Sequence, residues 1–198
     1  MKINPRIHRP AFTLIELMAV IVIIVILAGM VVGGLGYVNE KQARSKAQVQ
    51  IALLSKALEE YKLDNGQYPP TTNRTGSWTT AAGTGTSAIL FDFLYFDSDR
   101  DSQGPPGDAD QKIYLPDLDP LTSKQGWTTG TVSRVTKITD PWGNEYCYRT
   151  AMPATGTTAN TGTQNPDFDL WSMGKNGKSN PASTSQTDKT NNADDVTN

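Results

Sequence analysis

The sequence predicts an α+β fold: a long N-terminal α-helix, membrane-embedded in its first half, packed on a small antiparallel β-sheet. Three observations predict it. Leu17 to Val38 run 22 residues without a charge, and about 20 suffice to span a bilayer as a helix. Apolar residues then recur at helical spacing from Ala47 to Tyr61. The rest of the 198-residue chain breaks into short alternating segments divided by Gly, Pro, Asn and Asp.

The N-terminal segment Met1–Ala11 carries Lys2, Arg6 and Arg9 and the only histidine, His8. A basic flank before an apolar run places the N-terminus in the cytoplasm and the remainder outside. The run is longer than the roughly 7–15 apolar residues of a cleaved secretory signal. Glu16 is the one acidic or basic residue between Phe12 and Val38. A carboxylate on a bilayer-embedded helix costs roughly 2.5–3.5 kcal/mol at the centre and less toward an edge. A simple anchor leaves that cost unexplained. A cut between Ala11 and Phe12 frees an α-ammonium one helical turn from Glu16. The run holds no Lys, Arg or His to serve instead. An ammonium from a neighbouring copy would neutralise the carboxylate and set the register between identical helices.

Ala47, Ile51, Leu54, Leu58 and Tyr61 follow at steps of four, three, four and three, one face of a helix. Lys46, Gln50, Ser55, Lys56, Glu59, Glu60 and Lys62 fill the polar positions between them. Asp64-Asn65-Gly66 and then Pro69-Pro70 stop the helix. Gly29, Gly33, Gly34 and Gly36 each cost about 1 kcal/mol of helix propensity relative to alanine. They read either as close helix packing or as a weak point at Gly33-Gly34 that unwinds on assembly.

Thr71 to Ser87 reads as loop. "SAILFDFLYF", Ser87 to Phe96, reads as a short helix capped by Thr86 or Ser87. "TVSRVTKI", Thr131 to Ile138, is rich in β-branched residues and reads as a strand. "DPWGN" is a turn in which Gly143 takes positive φ. "EYCYRT" puts Tyr146 and Tyr148 on one strand face and Cys147 on the other, and "DFDLWSM" puts Phe168 and Leu170 on one face.

Composition excludes several functions. The chain holds 18 basic and 20 acidic residues; without Lys2, Arg6 and Arg9, 15 basic residues remain and the net charge moves from −2 to −5. Acidic residues gather between Asp92 and Asp119, opposed only by Arg100 and Lys112. No basic stripe with aromatics is present, so no nucleic-acid partner is expected. The single cysteine, Cys147, permits no intrachain disulfide. One histidine and one cysteine build neither a His/Cys metal site nor a Ser-His-Asp triad, and the chain is not expected to be an enzyme. In "DSDRDSQGPPGD", Asp97, Asp99, Asp101 and Asp108 fall at positions one, three, five and twelve of an EF-hand-like loop. Ser102 sits where that loop needs glycine, so a solvated acidic loop is the reading favoured over a calcium site.

"A-FTLIEL", Ala11 to Leu17, ahead of an apolar run resembles the start of the type IV pilin and pseudopilin superfamily. The resemblance implies a pilin-like fold, cleavage after Ala11 by a prepilin peptidase, N-methylation of Phe12, and Glu16 as the assembly glutamate. Ala11 departs from the glycine usual before the cut, which implies slower processing, and Gly33 stands where many members have proline. "YKLDNGQYPPT", "DPWGNEYCY", and "DFDLWSMGKNG" with "ADDVTN" resemble the major pseudopilin of the type II secretion system. The likeness covers roughly half the chain.

The organisation it implies is a leader at 1–11, a transmembrane and filament-core half-helix at 12–38, an amphipathic half at 39–65, and a globular head at 66–198. The head contains an irregular insert at 72–138 and a C-terminal loop at 173–198. The family's loop binds calcium, and the matching groups here are the Met173 carbonyl, the Asn176 side chain, Asp194 and Asp195. Asn176 replaces the usual aspartate, which implies weaker binding. The inserted "KSNPASTSQTDKTNN" has the composition of a disordered polar tail. The implied function is a structural subunit of a secretion pseudopilus: single-pass in the inner membrane, head in the periplasm, polymerised into a helical filament that helps export folded proteins. Implied partners are further copies of the chain, the prepilin peptidase, an inner-membrane assembly platform, minor pseudopilins and membrane lipid. Alternatives are a type IV pilin for adhesion, motility or DNA uptake, a minor pseudopilin, and a membrane-anchored extracytoplasmic binding protein or enzyme.

Overall fold

Helix α1, Leu14–Asn65, follows from the two apolar patterns in series. It is seen in a computed structural model that describes residues 12–70, 86–98, 104, 111–128, 131–133, 136–151, 163–179, 190 and 192–198; of residues 31–35 it describes the backbone alone. The chain divides into two units, Met1–Gln42 and Ala43–Asn198.

In the first unit the apolar side chains of α1 are exposed, from Leu14 and Ile15 through Ile26 to Met30. Among the described residues no helix is long and apolar enough to cross a membrane. The described side chains of the apolar run break off after Met30 and resume at Gly36, so neither stretch reaches the roughly 20 consecutive residues a span needs. The proposed weak point at Gly33-Gly34 lies outside the described side chains.

In the second unit the helical face read from the sequence is the buried one. Ala47, Ile51, Leu54, Leu58 and Tyr61 are all buried. Fully burying a Leu- or Ile-sized side chain stabilises by about 1.5–3 kcal/mol, so this stripe ties α1 to the head. Gln50, read as a polar-face residue, is also buried. It accepts the Tyr146 hydroxyl proton at 2.7 Å and donates to the Gln125 carbonyl at 3.3 Å, and these bonds offset the desolvation of its amide. The helix stops as expected. Gly66 at φ 74° returns its N–H to the Lys62 carbonyl at 2.7 Å. Asp64 and Asn65 engage the Tyr114 hydroxyl, and Lys112 pairs with Asp64.

"SAILFDFLYF" is helical: α2 spans Ser87–Phe91 and continues as a π-helical turn, Asp92–Phe96. Its cap differs from the sequence reading. Neither Thr86 nor Ser87 caps the helix with its own side chain. Glu145 reaches across 58 residues to accept both the N–H and the hydroxyl of Ser87, at 3.1 and 3.0 Å. The Ser87 oxygen in turn accepts the N–H of Ile138 at 2.9 Å. A 3₁₀ turn at Pro116–Leu118 follows.

The expected strand Thr131–Ile138 is absent from the described residues of that segment; a lone bridge joins Thr139 to Glu145. The Ile138 N–H goes to Ser87 and the Thr139 N–H to the Trp127 carbonyl at 2.7 Å. Within the segment the Thr136 N–H turns back to the Ser133 carbonyl at 2.9 Å, so its described donors serve a local turn and a side chain rather than a ladder, whatever its β-propensity.

The sheet has three antiparallel strands in the order β1 (Cys147–Thr150), β2 (Phe168–Ser172) and β3 (Val196–Thr197). Cys147 pairs with Trp171, Thr150 with Phe168, and Ser172 with Val196. Strand β3 lies in a stretch read from the sequence as loop. The buried Val196 and its two-residue pairing with β2 place it in the sheet. The outer edge of β1 is not open. Thr86 donates its N–H to the Tyr146 carbonyl, and its hydroxyl both accepts from the Tyr148 N–H and donates to the Tyr148 carbonyl, each at 2.7 Å.

Alternation holds as read: Tyr146, Tyr148, Phe168 and Leu170 join the main core, while Cys147 packs with Trp171 and Met173 on the other face. Burial pushes the Cys147 thiol up to about 12. Only about one molecule in ten thousand would then carry thiolate at pH 8. The folded protein is expected to resist iodoacetamide for hours at pH 8 and to be labelled within minutes in guanidinium. Rapid labelling of native protein would contradict the packing.

Candidate functional site

Two groups of residues carry the functional expectations. The first is at the start of α1. Phe12 is exposed, while Ala11 and the leader lie outside the described residues. Glu16 does have partners within its own turn. Its carboxylate accepts the Thr13 N–H at 2.9 Å and the Thr13 hydroxyl at 2.7 Å, and the Glu16 N–H lies 3.3 Å from the Thr13 oxygen. This is a capping box, in which a Thr at the N-cap and a Glu three residues on satisfy each other's backbone donors. "TLIE" before an apolar run is its sequence signature, so the signal was present and unread. In the single chain Thr13 thus hydrogen-bonds Glu16 without neutralising its charge.

The second group is the C-terminal loop, built on a scaffold the sequence reading named only as a turn. In "DPWGN" the Asp140 carboxylate accepts the N–H groups of Trp142 and Asn144 at 3.0 and 2.8 Å, and Gly143 stands at φ 90°. Burial raises the pKa of Asp140, against hydrogen bonds that lower it, that from the Ser172 hydroxyl first. Ser172 also accepts the Gly174 N–H at 3.1 Å, and Asn144 donates to the Gly174 carbonyl at 2.6 Å. The turn therefore holds the start of the loop through both backbone groups of Gly174. Gly174 needs to be glycine: φ is 61°, and a Cβ there would collide with the Asp194 carbonyl.

Of the four residues named from the sequence, Asn176 is hydrogen-bonded to Asp194, Asp195 follows Asp194 in the chain, and Met173 precedes Gly174. Met173 is buried at the end of β2. The Asn176 N–H donates to Asp194 Oδ2 at 2.8 Å, and Asn176 Oδ1 accepts from the Lys178 N–H at 2.7 Å. Asp195 Oδ2 accepts from Ser179, whose oxygen also takes the Trp171 indole N–H at 3.0 Å. The remaining oxygens, Asp194 Oδ1 and Asp195 Oδ1, are buried with no hydrogen-bond donor. A buried charged oxygen without a partner costs at least about 1–3 kcal/mol. Asp195 is accordingly pushed up to about 6, by burial first, with neighbouring Asp194 adding to it and the Ser179 bond opposing it.

Two buried carboxylate oxygens without donors, on adjacent residues, have the chemistry that suits a hard divalent cation. Among the described residues no three His, Cys, Asp or Glu gather as a metal group. Of the EF-hand-like candidate, Asp97 is buried after the π-helical turn, and Asp99, Asp101 and Asp108 lie outside the described residues.

Comparison with known proteins bears on both groups. A family profile described as "Prokaryotic N-terminal methylation motif" matches residues 8–32. A second, described as "Type II secretion system (T2SS), protein G", matches residues 36–86 and 115–191.

The chain belongs to the type II secretion system protein G family.

The Escherichia coli (strain K12) protein named type II secretion system core protein G is 33% identical over 135 residues, 68% of each chain. Its Pseudomonas aeruginosa namesake is 30% identical over 172 residues, 86% of this chain and 87% of the relative. The Pectobacterium carotovorum one is 52% identical over 60 residues, 30% of this chain and 38% of the relative. The methylation motif covers Phe12, Thr13 and Glu16. The protein G match covers α1 beyond residue 36, the Asp140 turn and the loop at Met173–Ser179, and it passes over residues 87–114, where α2 and the π-helical turn lie.

Proposed function

We propose that this chain is the structural subunit of a type II secretion pseudopilus, the filament that helps move folded proteins across the outer membrane. The observation that carries the reading is the pairing of a methylation motif at 8–32 with a protein G match through the head on the same chain. Before assembly the subunit is held in the inner membrane by residues 12–38, N-terminus in the cytoplasm and head in the periplasm. A prepilin peptidase removes Met1–Ala11, and Phe12 is N-methylated. The apolar side chains of α1 that the single chain exposes then bury against other copies in a helical homopolymer. Glu16 trades its local Thr13 bonds for the Phe12 ammonium of a neighbouring subunit. An inner-membrane assembly platform and minor pseudopilins act with it. The role is structural, not enzymatic.

The second part of the proposal concerns calcium. The Met173 carbonyl, Asn176, Asp194 and Asp195 would hold a calcium ion, whose charge would satisfy the two orphaned carboxylate oxygens. The ion would join the loop after β2 to the turn before β3 and so lock the C-terminal strand to the sheet.

The test of the filament reading is the intact mass of protein purified from its native membrane. Loss of residues 1–11 with gain of one methyl group is expected. A full-length, unmethylated mass would leave Glu16 without the ammonium and would overturn the filament reading in favour of a plain membrane-anchored domain.

A further inference from the structure

Arg44 is an exposed residue of α1. It precedes Ala47, where the buried stripe of the helix begins, by three residues, so the two share a face. Its guanidinium Nη2 donates to the backbone carbonyl of Asp194 at 3.1 Å, a contact between residues 150 apart in sequence. That carbonyl is confined from another direction as well, because it lies against Gly174 where no Cβ would fit. The carboxylate of the same Asp194 accepts the Asn176 N–H with one oxygen and leaves the other buried without a donor. The residue whose backbone Arg44 grips is therefore the one whose side chain faces the candidate cation.

We propose that Arg44 is a positioning residue for the C-terminal loop, coupling occupancy of that loop by calcium to the hold of the head on α1. The inference rests on the calcium reading above. Its physical basis is geometric. The turn Asn192–Asp194 leads directly into the two-residue strand β3, and so short a ladder leaves the Asp194 peptide to be fixed by other contacts. Arg44 supplies one of them, and a fixed peptide keeps the carboxylate aimed. A cation bound by that carboxylate fixes the same peptide from the other side. Coupling of this kind is reciprocal: what Arg44 gives to cation binding, the cation returns to the Arg44 contact. The positive charge of Arg44 opposes a nearby cation. It is solvent-exposed, however, and screened over about 8 Å at physiological salt, so the directional bond to the carbonyl outweighs it.

The experiment uses the full chain in detergent micelles, titrated with CaCl₂ by calorimetry, with amide hydrogen exchange of residues 43–50 followed in CaCl₂ and in chelator. Wild type, Arg44→Gln, Arg44→Lys and Asp195→Ala are compared. Arg44→Gln is expected to weaken calcium binding by about two- to tenfold, the worth of one hydrogen bond. It should also erase the calcium-dependent slowing of exchange at the start of the buried stripe, while Arg44→Lys restores part of both. Calcium binding in wild type, lost in Asp195→Ala but unchanged or tighter in Arg44→Gln, overturns the coupling and leaves the site standing. Absence of calcium binding in wild type overturns the calcium reading, and the coupling with it.

Discussion

Glu16→Ala is expected to leave the chain inserted and the head folded, and to stop filament formation. The local cost is small. Removing the capping carboxylate leaves the Thr13 N–H without its 2.9 Å partner, and loss of a cap costs about 0.5–2 kcal/mol. A helix of 52 residues anchored by a buried stripe does not melt for that. The cost in the filament is of another order. An ammonium buried between helices and stripped of its carboxylate costs about 3–5 kcal/mol, and every subunit added incurs it. Thr13→Ala separates the two effects, because it weakens the cap and keeps the carboxylate. Filaments scored by electron microscopy should persist in Thr13→Ala and vanish in Glu16→Ala, with Cys147 protected from iodoacetamide in both. Normal filaments from Glu16→Ala would remove the register role of that carboxylate.

The second large effect concerns Asp195. At a calcium concentration one hundred times its dissociation constant, a bound ion stabilises the fold by about 2.7 kcal/mol. For a head of this size that corresponds to roughly 5–10 °C in Tm. Wild type should gain this shift on going from chelator to calcium, along with resistance to protease in the C-terminal loop. Asp195→Ala should gain neither. Gly174→Ala should behave similarly for a different reason, since its methyl group displaces the Asp194 carbonyl. Asn176→Asp adds a carboxylate to the set and should move the transition to lower calcium, because affinity follows ligand charge. Identical digestion patterns for wild type with and without chelator would rule calcium out of this loop.

How far the sequence reached depends on whether the determining contacts are local. The helical stripe from Ala47 to Tyr61, the stop at Gly66, the Gly143 turn and the two-faced strands around Tyr148 and Leu170 depend on periodicity and turn chemistry, and each is where the sequence placed it. The misreadings in the head share a cause, unlike the Thr13–Glu16 cap, whose partners are three residues apart. Gln50 is buried because Tyr146 and Gln125 meet it, Ser87 is capped by Glu145, and the Ile138 N–H at the end of the expected strand is taken by Ser87. None of those partners is near in sequence. The four residues of the candidate cation loop were named through resemblance. The residues that position it, Asp140, Asn144, Ser172, Gly174 and Arg44, carry no ligand signature and emerge only from the fold.

The hydroxyl of Thr86 has a consequence for how such a subunit can be stored at high density. A sheet with a bare outer strand is a template for other chains, and a crowded pool of identical molecules is where edge-to-edge stacking begins. Here the outer strand has its second residue, Tyr148, bonded at both N–H and C=O by one side chain. The opposite margin is a strand of only two residues. Among the described residues neither margin offers a long ladder for a second head to extend. On the proposed filament reading, growth would then follow the N-terminal helices, and a reservoir of unassembled subunits would wait without turning into amyloid-like deposits.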